Sequence, residues 1–469
     1  MRTYTLLIAA ALMLVLVPCE AVAQSVGGLN YSATANCGSV PTGHVEWPVS
    51  DPLWTFDFIR PQESSGGRGS GLEIRDVYYD GHLVFRAAHV PILNVEYEPG
   101  VGCGCYRDWQ YEPAGYATDG IRAGSESCVA DATAGAVITT CDTNEAGGTG
   151  GDPGSFTGIA IEEFDSELVL TANLRAGWYR YRVKWHFYLD GRVWPEFSFS
   201  AEDDVCTNAT HRHHAYWRFD FDVDGSGGDV VREVNPGMGT STTYTTETVS
   251  DWGDPADGVF WTITDESSGL GYDLVPSSAD LLLPIDDFSK LDVAVAQYRP
   301  TELDDGADSL GECEIELENG YNGTTPIING ESLVDEDIVL WYRSGANHLG
   351  GNPWECDIVG PMLTRVLPTA GEEGPAPEEM PDGFLLESAY PNPFNPSTTV
   401  RFKVADEQSV TVSLFDALGR KVATLFSGFV ESNRFETVRI DGSRLPSGTY
   451  TVRLEGENIL GSTRVVLIK

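Results

Sequence analysis

The chain has 469 residues, with 71 acidic side chains against 29 basic ones and a formal net charge of −42. A polyanion repels phosphate and has no counterions to release, which excludes direct nucleic-acid binding as its task. Hydrophobic residues make up 41% and aromatics 10% of the chain, so a large core can form and global disorder is excluded.

In chain order, Arg2 precedes an apolar run from Leu6 to Val17, and Ala21-Val22-Ala23 supplies the small residues that signal peptidase reads. Residues 1–23 read as a signal peptide, and the mature chain starts near Gln24. No later stretch approaches the roughly 18–20 apolar residues of a membrane helix, so no membrane span is expected. Eight cysteines follow: Cys37, Cys103, Cys105, Cys128, Cys141, Cys206, Cys313 and Cys356. An even count in an exported chain points to disulfides, with the connectivity open. A cysteine-only zinc site fits less well, because Cys103-Gly-Cys105 is too close for the usual ligand pair.

Residues 24–368 read as one large β-domain. Aromatic and β-branched runs such as Ile74-Arg-Asp-Val-Tyr-Tyr79 and Leu83-Val-Phe85 are separated by Gly, Asp and Asn clusters, with no long helical period. The stretch from Gly147 to Gly154 reads as a glycine-rich loop. Five of the eight histidines are scattered, but His211-Arg-His213-His214 is a cluster. In a strand, residues two apart share a face, so His211, His213, Ala215, Trp217, Phe219, Phe221 and Val223 line one side. Two imidazoles on an otherwise apolar face suit copper or zinc, or else a pair of hydrogen-bonded core histidines. The opposite face runs into Asp220-Phe-Asp222-Val-Asp224-Gly225, which opens like an EF-hand loop. Val231 stands where the bidentate Glu belongs, so an EF-hand fails. A calcium site completed by a remote carboxylate and a plain acidic turn both remain open.

Residues 369–383, rich in Pro, Glu and Gly, read as a linker. Beyond it, residues 384–469 carry nine acidic and ten basic side chains, so the whole negative charge lies ahead of Phe384. Short strands separated by turns, among them Val410-Thr-Val-Ser-Leu-Phe415 and Thr449-Tyr-Thr-Val-Arg-Leu454, predict a small immunoglobulin-like β-sandwich. The blocks Tyr390-Pro-Asn-Pro-Phe-Asn-Pro396, Leu414-Phe-Asp-Ala-Leu-Gly-Arg420 and Leu445-Pro-Ser-Gly-Thr-Tyr450 resemble the sorting domain of the type IX secretion system. That resemblance implies type IX machinery as a partner, and a location on the cell surface or outside the cell.

Residues from about Trp47 to Leu367 resemble the catalytic domain of copper amine oxidases. The carriers are Gly71-Leu-Glu-Ile-Arg-Asp-Val77, Trp185-His-Phe-Tyr-Leu-Asp-Gly191, His211-Arg-His213 followed by Arg218-Phe-Asp-Phe-Asp-Val-Asp-Gly225, and Asp335-Glu-Asp-Ile-Val-Leu-Trp-Tyr342 leading to Gly345-Ala-Asn-His348. The resemblance implies an all-β fold, a large antiparallel β-sandwich that is usually a homodimer. It implies copper on His211, His213 and His348. It also implies calcium on Asp220, Asp222 and Asp337 with the carbonyls of Phe221 and Ile338.

The same family converts a tyrosine beside the copper into topaquinone, and the matching position is Tyr179. The reaction it implies is oxidative deamination of a primary amine by dioxygen, giving aldehyde, ammonia and hydrogen peroxide. The nearest match for the carboxylate base is Glu112 in Trp109-Gln-Tyr-Glu-Pro-Ala-Gly-Tyr116, with Asp108 a second candidate. The pattern departs from the family at Trp178 and Arg180, which replace an Asn and an acid around the tyrosine. A family cysteine is matched by Ala160, so that disulfide is missing, and Cys128 with Cys141 is a candidate replacement. These departures keep a second function in view, a non-catalytic secreted or cell-surface metal-binding β-protein on the same fold.

Overall fold

The structure is a computed structural model that describes residues 32–35, 41–112, 114, 128, 137–138, 159–164, 166–280, 291–303, 305–307, 314–318, 327–351, 358–367 and most of 384–469. The signal segment, Cys37, Cys141, Cys313, Cys356, the 147–154 loop and the linker all lie outside these residues. The chain divides into two compact units, Met1–Thr369 and Ala370–Lys469. Among the described residues there is no α-helix, and every strand pairing in the sheets is antiparallel. The fold class is all-β.

In the first unit the strands form two ten-stranded sheets. At the centre of one sheet, His211–Phe221 lies between His82–Tyr97 and Ile338–His348. At the centre of the other, Tyr179–Tyr188 lies between Glu167–Ala176 and Val193–Ala201. These strands form where the sequence alternates large apolar and other residues, so each presents one aromatic-rich face. The two such faces meet. Trp185 packs edge-on against Trp217 at 5.3 Å between ring centroids, and Trp54 and Phe56 reach Phe187 at 5.0 and 4.3 Å. Buried indole and phenol groups bond to main chain across the sandwich, Trp185 Nε1 to the Leu72 carbonyl at 3.0 Å and Trp54 Nε1 to that of Tyr188 at 2.7 Å. An aromatic core residue of this kind is worth about 3–5 kcal/mol against truncation to Ala.

The outer face of the histidine sheet is also covered. Tyr216, Trp341, Ile92, Val339, Leu291, Ala294, Ala296, Ile315, Leu317 and Ile327 form a second apolar cluster there. The buried Arg107 clamps that layer through a two-pronged contact with Asp305, at 2.6 and 2.9 Å. Gly191 turns the chain between Tyr179–Tyr188 and Val193–Ala201 with φ of 86°, and a Cβ there would sit 2.8 Å from the Tyr79 ring. No other residue type meets both demands.

In the second unit, a three-stranded sheet (Phe384–Leu386, Ser397–Val404, Glu436–Asp441) accompanies a four-stranded one (Lys421–Val430, Gln408–Phe415, Gly448–Glu455, Leu460–Leu467). Val400, Phe402, Val412, Leu414, Val452 and Leu454 are buried in one core, as the two-residue period requires.

Candidate metal and tyrosine site

The His211–Phe221 strand carries its imidazoles into the sandwich interior, where His211 and His213 are buried. Register supplies the neighbours. His211 stands opposite His348 on one flanking strand and opposite Tyr97 on the other. The His211 ring lies 5.2 Å from His213 and 5.0 Å from His348. Nδ1 of His211 and of His348 both face the Ala209 carbonyl, at 2.8 and 3.4 Å, and Nδ1 of His213 meets the Tyr181 hydroxyl at 3.0 Å. Nε2 of His213 is buried with no hydrogen-bond partner. Burial holds the His213 pKa well below the usual imidazole range, and the neighbouring His211, His214 and His348 push it the same way. A neutral imidazole with an open nitrogen is the form that binds a transition metal.

Tyr179 comes from the facing sheet. It is buried, its ring lies 4.5 Å from His213 and 5.5 Å from His211, and its hydroxyl bonds that of Tyr97 at 2.8 Å. Burial raises its pKa well above that of a free phenol, with Tyr97 adding to the effect. Tyr181, two residues on, stacks at 5.7 Å and donates its hydroxyl to Asp108. Asp108 is buried, and burial drives its carboxyl up to about 7 against the opposing hydrogen bond of Tyr181 and the charge of Arg68. Glu112 is exposed and accepts a bond from the Trp109 indole at 3.3 Å. The carboxylate at the cluster is therefore Asp108. Arg180 turns away from the interior to Glu202, at 2.5 Å, and Trp178 is half-buried beside Tyr106 at 6.3 Å.

The acidic end of the histidine strand forms a second cluster. Carboxylate oxygens of Asp220, Asp222 and Asp337 all lie within 4.8 Å of one another, and no other trio of potential ligands among the described residues meets that spacing. Asp222 Oδ1 and Asp337 Oδ1 are buried without hydrogen-bond partners. Burial raises all three pKa values, Asp220 to about 7 and Asp337 to about 6; neighbouring acids of the trio add to it at Asp220 and Asp337 and Asp76 at Asp222, while Arg218 opposes it at Asp220 and Asp337 and Arg86 at Asp222. Phe221 and Ile338 are the chain neighbours of these acids, with their side chains in the core. Sequence reading passed over Asp229, whose Oδ1 is also buried without a partner and whose pKa burial raises to about 8, with Asp222 adding to it. It also passed over Tyr97, because nothing local to either strand shows that register sets it beside His211.

Cys103 and Cys206 form a disulfide, and Cys105 and Cys128 are disulfide-bonded as well. The suggested partner of Cys128, Cys141, lies outside the described residues.

Residues 388–469 match the secretion system C-terminal sorting domain family. The C-terminal unit is thus a type IX sorting domain, and the protein is exported to the cell surface or beyond. Among the described residues no helix is long and apolar enough to cross a membrane. No curated protein sequence matches the chain. Similar solved structures include an amine oxidase of Aspergillus nidulans, with 15% identity and a TM-score of 0.44 over 69% of this chain and 51% of that one. A copper-containing benzylamine oxidase from Hansenula polymorpha gives 14% and 0.46, over 69% and 59%. Pichia pastoris lysyl oxidase gives 16% and 0.46, over 69% and 51%. The matched region spans between 51% and 59% of those chains.

Proposed function

We propose that the first unit is a copper-dependent oxidase of primary amines, with copper on His211, His213 and His348 and with Tyr179 as the precursor of a topaquinone. One observation carries this reading. Three buried imidazoles from two neighbouring strands lie side by side, and two of them face a buried tyrosine supplied by the opposite sheet. Copper and the quinone would together supply the electron sink that lets dioxygen oxidise an amine to an aldehyde, with release of ammonia and hydrogen peroxide.

The donor set suits copper in kind, three imidazoles with the Nδ1 side of each ring already facing an oxygen, and their nitrogens must draw closer than they stand here to share one ion. The residues of the chain do the rest. Tyr97 holds the Tyr179 hydroxyl in place, and the aromatic walls of Phe197 and Phe199 keep water out. Asp108, with a carboxyl near 7, can hold or take up a proton at neutral pH, which the exposed Glu112 is badly placed to do. Calcium on Asp220, Asp222 and Asp337 would neutralise the acidic cluster at the far end of the same strand.

Trp178 and Arg180 favour a second reading, a secreted metal-binding β-protein without turnover, since the side chains flanking Tyr179 are bulky and tied elsewhere. Hydrogen peroxide release from the copper-loaded full chain, measured with a panel of primary amines, separates the two. The oxidase reading expects peroxide that disappears in Tyr179→Phe and in His213→Ala. Copper binding with no peroxide from any amine overturns it in favour of the second.

A further inference from the structure

We propose that Tyr181 and Asp108 are positioning residues that set the tautomer of His213, so that its Nε2 is kept as a lone-pair donor for the metal. The inference rests on the copper reading of the three histidines. Its basis is one hydroxyl with two neighbours. Tyr181 Oη contacts both a carboxylate oxygen of Asp108 and Nδ1 of His213, the latter at 3.0 Å, and all three side chains are buried.

A phenol has a single proton to give. Tyr181 donates to Asp108, so its one proton is committed there. The Tyr181 oxygen is then left as an acceptor toward His213, and the hydrogen of the neutral imidazole must lie on Nδ1. Nε2 keeps its lone pair, and it is buried with no hydrogen-bond partner of its own. Without the carboxylate the order reverses. Tyr181 would donate to Nδ1, the hydrogen would move to Nε2, and the ring would present an N–H where a metal belongs.

Asp108 is well placed to impose this direction. Its own backbone N–H is fixed to the Leu93 carbonyl at 2.9 Å, on the strand that pairs with the histidine strand. The Tyr181 backbone is locked in register with Phe199 and Leu174. These backbone bonds fix the points from which the two side chains reach one another. A partner on the far nitrogen of a metal-binding histidine normally contributes 10–100-fold in metal affinity.

The test uses the full chain, labelled with 15N-histidine, first metal-free and then titrated with Cu(II). In the metal-free wild type the His213 nitrogens should report hydrogen on Nδ1. Tyr181→Phe and Asp108→Leu should lose that signature, bind copper 10–100-fold more weakly and change its electron paramagnetic resonance spectrum. Asp108→Asn keeps an acceptor oxygen for Tyr181 and should restore affinity to near wild type, which a purely structural role would not predict. Unchanged nitrogen shifts and unchanged copper affinity in a folded Tyr181→Phe or Asp108→Leu protein would overturn the proposal. Should the wild type bind no copper, the copper reading fails, while the nitrogen shifts of the metal-free variants still decide the tautomer.

Discussion

Replacing Asp337 by Asn should change sign in its effect on stability according to whether calcium is present. In the absence of a cation, three carboxylates share a space in which their oxygens lie within 4.8 Å of one another. Two unit charges at that distance repel by about 3.5 kcal/mol at an effective dielectric constant near 20. Asp337 takes part in two of the three pairs, but it is only half-buried and also attracts Arg218 and Arg86, so screening and those lost attractions bring the expected relief down to about 1 kcal/mol. In chelator, Asp337→Asn should therefore melt at or above the wild-type temperature. With calcium at 100 times its dissociation constant, the wild type gains about 2.7 kcal/mol. A variant with 100-fold weaker affinity gains only about 0.4 kcal/mol under the same conditions. Calorimetric melts of both proteins, in chelator and in millimolar calcium, read the crossing directly. A wild-type melt unmoved by calcium, or equal calcium shifts in both proteins, would refute the reasoning.

On the outer face of the second sheet, His186 bonds Glu167 at 2.6 Å and Glu196 at 3.0 Å. Burial depresses the His186 pKa, but the two carboxylates outweigh it and raise the pKa; burial raises Glu196, but His186, Lys184 and Arg182 outweigh that and lower it. The imidazolium contributes fully below its unfolded value near 6.5 and is lost as pH rises through the higher folded value. The carboxylate contributes above its unfolded value near 4.5 and is lost as pH falls. His186→Gln should thus cost about 3 kcal/mol in urea unfolding at pH 5–6.5 and progressively less at alkaline pH, and a pH-independent cost would contradict this. The Cys103–Cys206 bridge closes a loop with a sequence separation of 103. Changing both residues to Ser should lower unfolding free energy by about 4–5 kcal/mol on the chain-entropy account, and a loss under 1 kcal/mol would count against it. Glu112→Gln should leave amine turnover within about twofold of wild type, because a solvent-exposed acid bonded to the Trp109 indole has little differential effect. A tenfold fall in kcat would return Glu112 to the site.

What could be read from the sequence was what depends on the two-residue strand period. That period alone sends His211, His213, Trp217, Tyr179, Tyr181 and Trp185 inward, and the structure buries all six. His348 is different: it became legible through a resemblance, because its approach to His211 depends on strand register, which no local pattern specifies. Tyr97 escaped for the same reason, and the bulge between Tyr216 and Arg218 shifts the pairing of that strand further. The choice between Asp108 and Glu112 was beyond sequence reading. Both follow the short Cys105–Arg107 strand on irregular backbone, where alternation no longer tells which way a side chain points. The acidic trio was half legible. Asp220 and Asp222 are local, while Asp337 arrives just ahead of the strand Ile338–His348 that pairs with the histidine strand.

In the proposed oxidase, Tyr179 becomes a redox cofactor beside a copper held by three histidines. The most direct test loads the metal-free full chain with copper in air, treats it with a quinone-directed hydrazine, and maps the product by peptide mass spectrometry. The account predicts a hydrazone on the peptide containing Tyr179 that requires copper and is missing in His213→Ala. A copper-loaded protein whose Tyr179 peptide keeps its unmodified mass would contradict it.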